Sequence, residues 1–361
     1  MFEPTKPFDS LPPIPPPESL WRTVELMQLE AGARAAVSEL KGLANIIPNQ
    51  AILINAIVLR EAKDSSEIEN IITTQDELYR AAAMGAPAAP NAEAKEVLRY
   101  REALWHGFGQ VKELGLLTVS DIIEIQRIIV ENDAGIRRTP GTALVNDRTG
   151  ETVYTPPQGE GRIRDLLDNL VAYLNGEDDS LLTSGIVHYQ FESIHPFYDG
   201  NGRTGRIINV LYLILKEHLD IPILYLSSYI TEHKEEYYRL LRAVTAESDW
   251  GAWLSFYLTA VEATARRTIA TVRRIKDLLD SAVDTVRRAL PRIYSKELVE
   301  TLFEHPYCKN SFVERSVGVE RKAASRYLHQ LEGIGLLELR KIGRQNIYIN
   351  RELMRILADD V

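Results

Sequence analysis

The spacing of apolar and polar positions divides the chain into an arm, a long run of helices interrupted once, and a terminal region of different character. The first seventeen residues, MFEPTKPFDSLPPIPPP, are rich in proline and predict an extended arm that either wraps the body or stays free. From Ser19 to about Ala83 apolar residues recur at helical spacing. SLWRTVELMQLEAGARAAVSEL opens with Ser19 as its expected cap, and AILINAIVLREAKDSSEIEN turns polar toward its end. AAAMGAPAAPNAEA reads as a loop. NAEAKEVLRYREALWHGFGQVKEL and TVSDIIEIQRIIVE predict amphipathic helices, the second capped by Ser120.

The interruption is TALVNDRTGETVYTPP, where two β-type runs flank Asp147-Arg148-Thr149-Gly150 and predict a hairpin over 142–157. Helices resume with RIRDLLDNLVAYLN and LLTSGIVHYQFESI, then a helix from Arg203 to about Glu217, and nearly all of 231–290. The last 71 residues predict three helices, in SKELVETLFEHP, KNSFVERSVGV and ERKAASRYLHQLEGIGLL. LLELRKIGRQNIYIN adds two strands around Gly343, which gives the order of a winged helix-turn-helix. The expected fold class is mainly α.

Length and composition narrow the function classes. A chain of 361 residues holds two or three domains. The net charge of -9 argues against a nucleic-acid binder as a whole. Residues 291–361 carry 12 Lys and Arg against 10 Asp and Glu, a net +2 that leaves -11 on the rest. Arg321, Lys322, Arg326, Arg340, Lys341 and Arg344 could meet phosphates there, but Glu320, Glu332 and Glu338 lie among them. Dimerisation or target docking is therefore the favoured role of this region, ahead of DNA binding. The single cysteine, Cys308, rules out an internal disulfide, and the N-terminus lacks a signal pattern, so a cytoplasmic protein is expected. The longest apolar region is broken by Lys216, Glu217, His218 and Asp220 and is too interrupted to span a bilayer.

The chemistry concentrates in HPFYDGNGRTGR, His195 to Arg206, directly before the apolar run IINVLYLIL. A glycine-rich turn feeding a helix start exposes backbone N–H groups at the positive end of the helix dipole, an anion site. Two arginines add forked donors suited to phosphate. A nearby acid can hold Mg²⁺, and a histidine can accept a proton near neutral pH. The stretch reads as a polyphosphate site beside a general base. His188, upstream, is read as structural, and Trp250 and Trp253, spaced by three, as helix core.

HPFYDGNGRTGR resembles the signature of Fic proteins, HPFx(D/E)GNGRxxR, at every defined position, and the resemblance extends over roughly residues 95–260. It implies an all-helical core with a hairpin flap, and transfer of AMP from ATP to a Ser, Thr or Tyr hydroxyl of a target protein with release of pyrophosphate. By position, His195 is the implied base and Asp199 the Mg²⁺ ligand. Gly200, Asn201 and Gly202 form the implied anion nest, with Asn201 near the α-phosphate. Arg203 is assigned to the inner phosphates, Arg206 to the γ-phosphate, and Phe197 to anchoring the loop. Glycine rather than lysine at 202 favours AMP transfer over a kinase-like pose.

A second stretch, SSEIEN, resembles the family's inhibitory motif (S/T)xxxE(G/N) through Ser65, Glu69 and Asn70. It implies that Glu69 pairs with Arg206 and keeps the γ-phosphate out, in an enzyme of the type with an N-terminal inhibitory helix. The same glutamate allows the alternative of a de-AMPylase. A further alternative is a nucleotide-sensing transcriptional regulator. The hairpin implies a target-binding flap, with Leu144, Val145, Val153 and Tyr154 on its apolar faces and an extended target segment paired to its edge. The expected organisation is an arm (1–18), a helical region carrying the inhibitory helix (19–94), a catalytic core (95–260), a linking helix (261–290) and a winged-helix domain (291–361). Expected partners are a target protein, itself included, and a second copy in a homodimer.

Overall fold

A computed structural model describes residues 2–84, 91–146, 149–342 and 345–358. Part of the expected loop after Ala83, Asp147 and Arg148 of the hairpin turn, and Gly343 and Arg344 of the expected wing lie outside the described residues. A short 3₁₀ turn, Glu18–Leu20, precedes α1 (Val24–Ala44), α2 (Gln50–Ile68), α3 (Gln75–Met84), α4 (Ala92–Leu114) and α5 (Val119–Val130). Strands β1 (Leu144–Val145) and β2 (Thr152–Tyr154) follow. Then come α6 (Glu160–Leu174), α7 (Leu181–Ile194), α8 (Asn201–Leu215), α9 (Ser227–Glu232), α10 (Lys234–Glu247) and the long α11 (Trp250–Ala289). The chain ends with α12 (Lys296–Glu304), β3 (Tyr307–Cys308), α13 (Asn310–Val317), α14 (Arg321–Gly333), β4 (Glu338–Ile342), β5 (Gln345–Ile349) and α15 (Arg351–Ala358). The fold is mainly helical with a small antiparallel hairpin, as expected. Among the described residues no helix is long and apolar enough to cross a membrane.

The chain forms two compact units. The first comprises Met1–Ser38, Asp64–Ile71 and Arg99–Ala265. Its centre is α7, which is buried along nearly its whole length and so reads apolar on every face. Neighbouring helices close on it: Trp253 Nε1 donates to the Gly185 carbonyl at 3.0 Å, and Ser184 and Tyr257 share a 2.6 Å hydroxyl pair. His188 is buried, 2.9 Å from the Tyr237 hydroxyl and 3.0 Å from Asn209 Nδ2, and Trp250 and Trp253 are core.

The arm wraps this unit. Leu11 and Ile14 are buried, and the Asn169 amide bonds both the N–H and the carbonyl of Ile14 at 2.8 and 2.9 Å. Phe8 N–H donates to the Thr155 carbonyl at 2.9 Å, and the rings of Phe2 and Phe8 pack on Tyr154.

The caps of two helices differ from expectation. Ser19 lies inside the 3₁₀ turn, and α1 begins later, with Thr23 Oγ1 accepting from Leu26 N–H at 3.3 Å. The reason is Trp21, whose buried indole donates to the Pro16 carbonyl and so requires a bend there. Helix α5 is capped by Thr118, not Ser120. Thr118 and Asp121 exchange side-chain and backbone bonds in a capping box that satisfies two donors, which Ser120 inside the helix cannot do.

The second unit comprises Glu39–Lys63, Ile72–Leu98 and Arg266–Val361. Its sheet is antiparallel in the order β3-β5-β4, with Tyr307 opposite Ile349 and Leu339 opposite Tyr348. Leu302, Phe303, Val313, Leu328 and Leu331 fill the core beside it. The three expected helices and the hairpin are present. Strand β3 and helix α15, which buries Leu353, Ile356 and Leu357, were not anticipated.

Candidate active site

Helix α7 delivers His195 and helix α8 delivers the arginines, and six residues, 195–200, turn the chain between the two helices. His195 closes α7 in the left-handed region at φ 48°. Gly200 is also left-handed, at φ 78°, and a Cβ there would meet Val130 Cγ1 at 2.9 Å. Glycine is needed on both counts. This turn starts α8 at Asn201, two residues earlier than the expected Arg203. The first-turn N–H groups of Asn201, Gly202 and Arg203 thus stand at the helix's positive end.

The loop is stapled from within and from α5. The Asn201 side chain accepts from Phe197 N–H and donates to the Phe197 carbonyl, both at 2.9 Å. One Nδ2 hydrogen and the Oδ1 atom of this amide are thus engaged by the loop. Phe197 is fully buried, and Gln126 Nε2 donates to the Asp199 carbonyl at 3.0 Å. The Asp199 carboxylate is exposed, and its Oδ1 accepts from Gly200 N–H at 2.6 Å and Arg203 Nη2 at 3.2 Å.

His195 is half-buried and its Nδ1 finds no hydrogen-bond partner among the described residues. Burial, aided by the Arg137 charge, pushes its pKa down to about 4. The imidazole is neutral at neutral pH and can accept a proton.

The two arginines are buried and both meet Glu69. Glu69 Oε2 lies 2.5 Å from Arg203 Nε, and Oε1 lies 3.0 Å from Arg206 Nη2. The pairing is broader than expected, since one carboxylate bridges two guanidiniums. Arg206 also donates to Ser65 Oγ at 2.7 Å and to the Ser65 carbonyl at 2.8 Å. Asn70 sits at φ 63°, a conformation Asn adopts more readily than most residues, which accounts for Asn at the motif's last position. A Cβ on Gly202 would meet Arg206 Nη1 and Glu69 Oε1, each at 2.8 Å, so the bridge needs glycine there.

Four contributors escaped sequence reading. Lys234 Nζ donates to the Ile68 carbonyl at the end of α2, at 2.7 Å. Gln126 holds the loop, and Arg137 donates to the His195 carbonyl. Glu192 has a buried Oε1 without a hydrogen-bond partner among the described residues, and burial raises its pKa to about 7 against the pull of Arg206. Only Glu192 left a sequence signal, as an acid in a helix with no polar face.

The hairpin pairs Leu144 with Tyr154 and Val145 with Thr152, with an irregularity at Leu144/Val145. Val145 is exposed, and Leu144 and Val153 are half-buried. Tyr154 is turned inward: its hydroxyl donates to the Ser193 carbonyl at 2.7 Å and its ring meets the arm.

A neutral histidine, a glycine-rich helix start and two buried guanidiniums lie together here, an arrangement that can take an anion with a proton acceptor beside it. Three family models match the chain: "Fic/DOC family N-terminal" at residues 27–109, "Fic/DOC family" at 116–213 and "Protein adenylyltransferase SoFic-like, C-terminal domain" at 278–353. The chain belongs to the Fic family. It is 28% identical over 182 residues to protein adenylyltransferase fic-1 of Caenorhabditis elegans, covering 48% of this chain and 33% of that protein. It is 26% identical over 158 residues to protein adenylyltransferase Fic of Culex quinquefasciatus, covering 43% and 29%. The matched part thus spans about a third of the length of these curated relatives. A Fic family protein of Desulfovibrio desulfuricans G20 shares the fold, with a TM-score of 0.56 at 20% identity over 94% of this chain and 98% of that one.

Proposed function

We propose that the protein is an adenylyltransferase that moves AMP from ATP to a Ser, Thr or Tyr hydroxyl of a protein, and that Glu69 holds it off at rest. One observation carries the reading: the Glu69 carboxylate makes ion pairs with both signature arginines, Arg203 and Arg206, and accepts a hydrogen bond from Arg206 Nη2. A carboxylate there competes with a phosphate for the same forks and repels it. The adenylyltransferase names of the relatives support the chemistry.

With Glu69 withdrawn, Arg206 takes the γ-phosphate and Arg203 with the α8 N–H groups takes the inner ones. The target hydroxyl oxygen attacks the α-phosphorus, its proton passes to His195, and the bond to the bridging oxygen breaks to release pyrophosphate. Protein groups position and neutralise charge rather than bond to the substrate. The exposed Asp199 carboxylate fits Mg²⁺, which needs only one or two protein carboxylates when phosphates and water complete its shell. Bound there, the ion would neutralise phosphate charge.

The hairpin edge at Val145 presents a target segment by main-chain pairing, and the protein itself is a candidate target. Residues 291–361 serve as a winged-helix module for docking or homodimerisation, and the protein works in the cytoplasm. The deciding experiment incubates wild type and Glu69→Gly with Mg²⁺ and ATP labelled at the α- or the γ-phosphate. α-Label on protein, mainly with Glu69→Gly, supports the proposal. γ-Label makes it a kinase, and no label from either overturns it in favour of AMP removal or nucleotide sensing.

A further inference from the structure

The loop Ile136-Arg137-Arg138-Thr139 contributes nothing to the signature, yet it is bonded along it. Arg137 N–H donates to the Pro196 carbonyl at 2.9 Å. The Tyr198 hydroxyl accepts from the N–H groups of Arg138 and Thr139, at 2.9 and 3.2 Å. The Arg137 side chain is fully buried. Its Nε donates to the His195 carbonyl at 2.7 Å, and its Nη2 donates to the Ile194 carbonyl at 3.1 Å and to the Pro157 carbonyl. No carboxylate lies within ion-pair distance of it among the described residues. A buried cation compensated only by carbonyls is a costly arrangement. Two of those carbonyls end α7, at the negative pole of its dipole, and the third ends the segment leaving β2.

We propose that Arg137 is a positioning residue for the transfer: its fork holds the carbonyls of Ile194, His195 and Pro157 together, fixing the turn that aims the His195 imidazole and tying the base of the hairpin to it. The turn needs such a clamp. A non-glycine residue at φ 48° is strained and persists only where its surroundings over-determine it. Lysine cannot replace the fork, because three carbonyls in different directions need a planar group with several donors.

The charge has a second effect on the same ring. After burial, the Arg137 guanidinium is the next cause that lowers the His195 pKa, while the nearby Glu192 backbone and the Asp199 charge raise it. Tyr154, Tyr198 and Asp9 are the other titratable groups facing the guanidinium. Removing the cation therefore shifts His195 toward protonation.

The kinetic arm of the test rests on the transfer reading, and the titration arm does not. In the Glu69→Gly background, Arg137→Met should lower kcat by about a hundredfold, the usual result of a misplaced catalytic group. ATP affinity should stay within about twofold by calorimetry, and the His195 midpoint in histidine-selective NMR should move upward. Arg137→Lys should keep the parent midpoint and still lose kcat by about tenfold, as a charge without the fork. An unmoved midpoint in Arg137→Met overturns the proposal. So does a fall of kcat, ATP affinity and Tm together, which marks a merely structural residue. If Arg137→Met does not fold, parent-like kcat in Arg137→Lys overturns it instead. If the Glu69→Gly parent transfers no label, the transfer reading fails, and the NMR midpoints still decide the role of Arg137.

Discussion

Glu69 Oε1 sits 3.0 Å from Arg206 Nη2, inside a fork that Ser65 completes with its hydroxyl and its carbonyl. Arg206 is 4% exposed at its side chain, so without Glu69 its charge stands buried and uncompensated by a salt bridge until a phosphate arrives. Glu69→Gly should raise AMP transfer by about 5–150-fold, the span of an ordinary coupling between two sites. α-Labelled ATP measures it. Equal transfer by the two proteins would remove the inhibitory role.

His195 should be the residue whose loss stops transfer while sparing the nucleotide. His195→Ala in the Glu69→Gly background should cost about 10²–10⁴-fold in rate, the usual worth of a general base. ATP affinity should hold within about twofold. With a pKa near 4, the base is already deprotonated at pH 6, so the His195 contribution to kcat should be flat from about pH 5 to 8 and fall only on the acid side.

Glu192 makes stability depend on pH in the opposite sense to an exposed acid. Its folded pKa, about 7, lies above the unfolded value, so the native state holds the proton longer. Stability from this group is full below the unfolded pKa, declines as pH rises toward 7, and is gone above it. Glu192→Gln, neutral at every pH, should match wild-type Tm at pH 5 and exceed it at pH 8. Parallel Tm curves from pH 5 to 8 would contradict this.

Gly200 meets both a backbone and a steric demand, since φ is 78° and a Cβ would reach Val130 Cγ1 at 2.9 Å. Gly200→Ala should cost about 1–3 kcal/mol of stability. Thermal unfolding gives the number, and transfer in the Glu69→Gly background should fall with it, because the same turn aims the α8 N–H groups. A Tm within one degree of wild type would show that the loop relaxes at no cost.

The charged face of α14 offers Arg321, Lys322 and Arg326 to solvent, while Arg340 of β4 is drawn into ion pairs with Glu338 and Asp76. So divided a set should not hold phosphates strongly. Random duplex at low salt should show no binding in a fluorescence titration. Tight, salt-sensitive binding would restore the DNA reading.

Local pattern made much of this protein legible. Helical spacing located most of the helices, and the β-type runs beside Thr149 and Gly150 located the hairpin. HPFYDGNGRTGR announced its own chemistry, because an anion nest needs glycines, a helix start and arginines in consecutive positions. Short elements were harder to read. Two residues at Tyr307 and Cys308 become a strand only because Tyr348 and Ile349 lie beside them.

Neighbouring residues therefore decide among themselves the helix spacing, the hairpin and the glycine-rich turn into α8. Tertiary structure decided the partners across the chain. Glu69 reaches Arg203 as well as Arg206, Asn201 bonds the Phe197 backbone through its side chain, and Arg137 gathers carbonyls from Pro157, Ile194 and His195. A buried guanidinium takes whichever acceptors the packed backbone brings within about 3 Å, and backbone carbonyls carry no residue identity by which a sequence could announce them.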